Sequence, residues 1–141
     1  MNKPNNLNKL RWLGYILISL IFGAIDYFFL DPIIRPNLIL ALAVWLIPLI
    51  PIAIHEIKVS GSKLKTPLAC ITSWILAVIA YYMCYAITLL DDNQVISFSW
   101  NDIFIDIAIW VVVAIIGGGI AGLSLAIIYQ HIFDKNRKKN T

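Results

Sequence analysis

Two carboxylates stand where an ionised group is expensive. Asp26 and Asp106 each interrupt a long apolar run, and an acid at the centre of a membrane helix costs about 2.5–3.5 kcal/mol on insertion scales. Asp26 lies five residues before Asp31, and Asp106 three residues after Ile103. Helix rise then puts them roughly 7 Å and 5 Å below one and the same membrane face. On a helical wheel Asp26 aligns with Tyr15, Ser19 and Phe22, and Asp106 with Trp110, Gly117 and Ser124. Tyr81, Tyr82, Tyr85 and Thr88 of a third run reach a similar depth. The expectation is a polar cluster of two carboxylates among hydroxyl donors, with Asp26, Asp106, Tyr81, Tyr82 and Tyr85 as the candidate ligand or proton site.

Such a cluster supports two chemistries. A proton- or cation-coupled transporter would use Asp26 as its charged site, and a membrane hydrolase would use Asp26 and Asp106 as an acid/base pair around a water. The competing structural account has both acids shallow enough to reach water, the tyrosines serving the aromatic belt, and Asp26 paired with Arg35 across the Asp31–Pro36 turn. It suits Asp106 better than Asp26. The patterns Asn-x-x-Gly-Ala and Asn-x-x-Asp-Arg of lipoprotein signal peptidases are absent, as are the first-helix glutamate of small multidrug transporters and the Gly-Gly-x-x-Gly-Ala-x-x-Arg run of fluoride channels.

Other reactive side chains have blander readings. His55 and Glu56 end the second run beside Lys58, which predicts an ion pair at the membrane surface. His-Glu-Ile-Lys-Val opens like the helical zinc motif H-E-x-x-H, but position 59 is Val, so no metal is expected. Nothing calls for a cofactor. His131 falls near the last turn of the fourth run, where it reads as a helix-end cation partner or a simple interface residue. Cys70 and Cys84 share one helix 14 residues apart, roughly 21 Å by helix rise and too far for a disulfide.

The elements that must hold these residues are membrane helices. The chain has 141 residues, 60% hydrophobic and 13% charged, with mean hydropathy +0.82, against about 25% charged in soluble domains. Four apolar runs, 12–30, 37–57, 67–90 and 103–133, each approach or exceed the ~20 residues that cross hydrocarbon. They leave tails 1–11 and 134–141. The fold class expected is all-α, a single membrane domain of four helices in an antiparallel up-and-down bundle. The first run is too long for a signal-peptide core and lacks a small-x-small cleavage site, so it is read as a retained span.

Charge gives the orientation. Ten of the 11 basic residues lie before the first run, between the second and third, or after the fourth; Arg35 alone lies in the opposite loops. By the positive-inside rule both termini are cytoplasmic, and the basic tails meet anionic lipid head groups rather than nucleic acid. With no cleavable leader read, a bacterial cytoplasmic membrane is the expected location.

Helix ends follow from local chemistry. Pro32 should stop the first helix at Asp31, and the second should start near Pro36 and kink at Pro48 and Pro51. Thr66 with Pro67 should open the third, and Ser99-Trp-Asn-Asp102 should cap the fourth. Short connections predict that consecutive helices are neighbours.

Glycines interrupt the fourth run at Ala114-Ile-Ile-Gly-Gly-Gly-Ile-Ala-Gly122. Ala114, Gly118, Gly122 and Ala126 form an i, i+4 ridge, matched on the third run by Ala69, Ser73 and Ala77 and on the first by Ser19 and Gly23. Such ridges let helix backbones approach closely in lipid. The rival reading breaks the helix at Gly117–Gly119 to bind a ligand, as transporters do. The leading functional expectation is a non-enzymatic accessory, structural or protective subunit, partnered by the bilayer and by a homo-oligomer or a larger membrane protein. In size and topology the chain is similar to membrane-type bacteriocin immunity proteins. The cation- or proton-coupled transporter is the alternative and the hydrolase a distant third.

Overall fold

A computed structural model describes residues 4–34, 37–91 and 100–139. These are helical almost throughout, with no strand among the described residues: α1 (Pro4–Ile25), a π-helical turn (Asp26–Leu30), α2 (Asp31–Ile34), α3 (Leu38–Leu46), α4 (Leu49–Ser60), α5 (Lys65–Asp91) and α6 (Trp100–Lys139). Four continuous or jointed stretches, Leu7–Ile34, Ile39–Ser60, Lys65–Leu89 and Trp100–Ile132, are long and apolar enough to cross a membrane. Their outward faces carry large apolar side chains such as Leu17, Phe29, Ile87 and Ile120, the surface a lipid-solvated helix presents.

The first span does not stop before its proline. The Asp31 N–H donates to the Asp26 carbonyl, one residue further back than an α-helical bond, and the wider turn carries the chain through Pro32 to Ile34. A proline lacks its own N–H and crowds the carbonyl four residues earlier; a π turn relieves that crowding without ending the helix.

Asn37 caps the second span, its side chain accepting the Leu40 N–H at 3.1 Å. That span is jointed at Pro48, as its proline predicts: α3 ends at Leu46 and α4 begins at Leu49, while Ile47 and Pro48 between them keep right-handed helical backbone. It closes at Gly61, whose φ of +61° is left-handed, the usual glycine termination. Thr66 does not cap α5. It sits inside the first turn and its hydroxyl donates to the Ser62 carbonyl at 3.1 Å, while Ser62 Oγ accepts the Lys65 N–H at 3.4 Å. The capping residue expected for α6, Ser99, lies outside the described residues. α6 runs past 133 to Lys139, so His131 is eight residues from its end and exposed.

The core gathers where three spans meet: Trp45, Leu49 and Ala53, then Cys70, Trp74, Ala77 and Val78, then Ala114. α5 is the hub, packed on α1, α4 and α6. The first span therefore lies against the third far more than against its sequence neighbour, contrary to the expectation from short loops. Close approach is the reason. A Cβ added at Gly23 would collide with the Ala77 carbonyl and lie 2.9 Å from Ala80 Cβ, so only glycine lets α1 sit so near.

α6 is continuous through Gly117–Gly119, which overturns the broken-helix reading. Added Cβ atoms would meet Ile71 Cα at 3.2 Å from Gly118 and Pro67 Cα at 2.6 Å from Gly122. Ala114 and Ala126 are fully buried on the same ridge. The surface they meet differs from the one expected: the glycines ride on Pro67, Cys70 and Ile71, with Gly117 on the Trp74 ring. Ala69 groups with Tyr15 and Ile52 instead, and Ala77 approaches Gly23. Ser73 is buried between.

Candidate functional site

At the end of the molecule that carries the π turn, three carboxylates line one cavity of about 230 Å³: Asp26, Asp31 and Asp106. Its remaining walls include four aromatic side chains, Trp45, Tyr81, Tyr82 and Trp110. Every span contributes. α1 and its π turn supply the first acid, α2 the second, α3 Trp45, α5 both tyrosines, and α6 Asp106 with Trp110.

The π turn explains why Asp26 and Asp31 share the site. Five residues along an α-helix rotate a side chain by about 140° away from the starting face at 3.6 residues per turn. A turn bonded i to i+5 returns to nearly the same face after five residues. Both acids therefore point to the bundle side.

Asp26 is 2% exposed. Trp45 donates a side-chain hydrogen bond to it, yet its Oδ1 is buried with no hydrogen-bond partner. No Lys, Arg or His among the described residues forms an ion pair with it; Arg35, the partner the sequence offered, lies outside those residues. Asp106 is exposed on α6 and lines the cavity at its open side. Its wheel companion Ser124 is exposed as well, whereas Trp110 and Gly117 are half-buried.

The aromatic walls are continuous. Trp45 stacks on Trp110 at 5.8 Å between centroids with planes 18° apart, and on Trp74 at 6.1 Å and 28°. Tyr81 tilts against Trp45 at 6.5 Å and meets Tyr82 edge-on at 5.2 Å. Tyr85 belongs elsewhere: with Tyr27, Phe28, Pro32 and Thr88 it lines a neighbouring groove that shares Asp31 and Tyr81 with the cavity. There the Tyr27 and Thr88 hydroxyls share a hydrogen bond. Of the five residues singled out from sequence, four thus line one cavity and Tyr85 does not. Trp45, Trp110 and Asp31 join them, with Ile34, Ala41 and Val78 as apolar lining.

A second polar cluster sits at the opposite end. Glu56 is fully buried, not a surface residue, and its partner is Arg11 of α1, with Nε 3.2 Å from Oε2. Tyr15 donates to the same oxygen at 3.1 Å, and its hydroxyl also lies 2.8 Å from His55 Nδ1. Ser19, one turn on, closes onto the Tyr15 carbonyl at 2.7 Å. Lys58, the expected neighbour, extends instead over the Tyr129 ring at 5.8 Å. This cluster ties α1 to α4, which otherwise touch little. Among the described residues no group of three His, Cys, Asp or Glu side chains is arranged to hold a metal ion.

No protein-family model, no curated protein and no solved structure matches this chain.

Proposed function

We propose that this protein is a non-enzymatic, four-span membrane protein that binds a cation in the Asp26 cavity and passes it across the bilayer. In this reading the spans form an antiparallel up-and-down bundle in a bacterial cytoplasmic membrane, with both termini cytoplasmic and the cavity opening toward the outside. The observation that carries it is the Asp26 carboxylate, 2% exposed, lining an open cavity and lacking a counter-charge among the described residues. A buried charge without a partner costs several kcal/mol, and intramembrane acids turned to a cavity mark ion or substrate pathways. Two further acids around the same space add attraction for positive charge. An accessory or protective subunit that only packs against a partner has no use for such a group, so transport displaces it as the leading reading.

Proteoliposomes test the proposal. Protein reconstituted in vesicles with a gradient of cations should dissipate that gradient, and Asp26→Asn should not. Flux equal to that of empty vesicles from the wild type would return the accessory reading to first place. Orientation is checked by labelling: a cysteine introduced at Asn93 should react with an impermeant reagent on intact cells, and one at Ser62 only after permeabilisation. The reverse would place the cavity on the cytoplasmic side.

A further inference from the structure

The geometry points to a small organic ammonium or iminium cation, rather than a metal ion or a proton alone, as the occupant of the Asp26 cavity; this rests on the cation-binding reading above. Four observations converge on it.

Charge comes first. Asp26, Asp31 and Asp106 line the space, and Asp26, 2% exposed, forms no ion pair among the described residues. A positive occupant suits that lining.

Coordination comes second. A hard cation needs several oxygens converging at about 2.3–2.6 Å for calcium, or in a tight octahedron for magnesium. The three acids line one cavity without forming a group that could hold a metal. They set a field, not a coordination sphere.

The walls come third. Aromatic side chains share the lining with the acids, and two of them, Trp45 and Trp110, are stacked into a slab with planes 18° apart. Indole is the best face for a cation, which is attracted within about 6 Å of the ring centre, most strongly when the cation is desolvated. Sodium or potassium gains little here because an aromatic wall replaces few of its waters. An alkylated or delocalised nitrogen holds its water weakly and buries apolar surface on the same wall.

Size comes last. A cavity of about 230 Å³ falls below the roughly 300–1,000 Å³ of sites for drug-sized ligands. The occupant is limited to a few heavy atoms around its charge. Asp26 then supplies the counter-ion, Trp45 holds Asp26 by its hydrogen bond, and Trp110, half-buried at the α6 wall, supplies the face.

The test is calorimetric titration of the wild type in lipid nanodiscs with tetramethylammonium chloride and N-methylpyridinium chloride, against sodium, potassium and calcium chlorides at equal ionic strength. Saturable binding of at least one organic cation, undiminished by the inorganic salts, is expected. Asp26→Asn should abolish it. Trp110→Leu should weaken it at least fivefold and Trp110→Phe by less, with both variants still eluting as monodisperse, helical protein; should Trp110→Leu not fold, Trp110→Phe carries the comparison. Asp26-dependent binding of an inorganic cation, or Asp26-dependent proton uptake, with no organic cation bound would overturn the assigned class and leave the cation-binding reading standing. Equal affinity in wild type and both Trp110 variants would overturn the role of the aromatic face. Absence of any Asp26-dependent cation binding would overturn both.

Discussion

Each end of this bundle buries an acid, and the two acids are treated differently. Glu56 is fully buried but sits 3.2 Å from Arg11 and accepts a hydrogen bond from Tyr15. Asp26 is buried almost as completely, holds one hydrogen bond from Trp45, and has Asp31 and Asp106 around the same cavity in place of a cation. At one end the chain provides its own counter-charge. At the other, the described residues provide more of the same sign. A closed ion pair locks α1 to α4; the acid at the other end lines an open cavity and has no such pair among the described residues.

The largest effect that distinguishes the two ends should come from removing each charge. Glu56→Ala strands the Arg11 guanidinium, and breaking a buried pair costs about 3–5 kcal/mol; unfolding in mixed micelles, followed by circular dichroism, should show that loss. Asp26→Asn removes an uncompensated charge while keeping its shape, and should leave stability unchanged or raised. If Asp26→Asn destabilises the protein as much as Glu56→Ala does, the two acids are equivalent and the comparison fails. Arg35 offers a second break point. Arg35→Gln should leave the stability of the wild type unchanged, whereas a loss that vanishes in the Asp26→Asn background would identify Arg35 as the missing counter-ion.

Next in size are the glycines that seat α1 and α6 on the hub. Alanine at Gly122 brings a Cβ within 2.6 Å of Pro67 Cα, and at Gly23 it strikes the Ala77 carbonyl. Backbone cannot yield as a side chain does, so each should cost roughly 1–3 kcal/mol. Gly119→Ala meets only the Ile71 Cδ1 at 3.6 Å and should be neutral or stabilising by up to about 1 kcal/mol, the helix preference for alanine over glycine. Equal Tm values for all three variants would mean that the helices do not approach as closely as described. The smallest effect belongs to the cap: Asn37→Ala should cost about 1 kcal/mol, read by the same unfolding curves, since it frees only the Leu40 N–H.

What could be read from sequence divides along the same physical line. Span positions follow from runs of apolar residues, which are local, and the four stretches fall close to where the runs lie. Buried acids announce themselves by being out of place in such runs, which is how Asp26 and Asp106 stood out. Glu56 did not, because it ends a run and because Arg11 lies 45 residues away; no spacing rule links them. Asp31 was read as the end of a helix, since Pro32 gives that signal in an α-helix and nothing in the residues announces a π turn. Nothing in the sequence marks Trp45 or Trp110 as cavity walls, for a tryptophan's chemistry depends on what faces it. The small-residue ridges were visible, but the rotation of each helix was not: α5 turns Pro67 and Cys70 toward α6 and Ala77 toward α1.

The central claim is that Asp26 meets its counter-charge only when a cation enters. Infrared difference spectroscopy on reconstituted protein, recorded on adding tetramethylammonium or N-methylpyridinium, reads this at the carboxylate itself. The account predicts a perturbed carboxylate band in the wild type that disappears in Asp26→Asn and persists in Glu56→Gln. A spectrum without any carboxylate change, or a band that survives in Asp26→Asn, would contradict it.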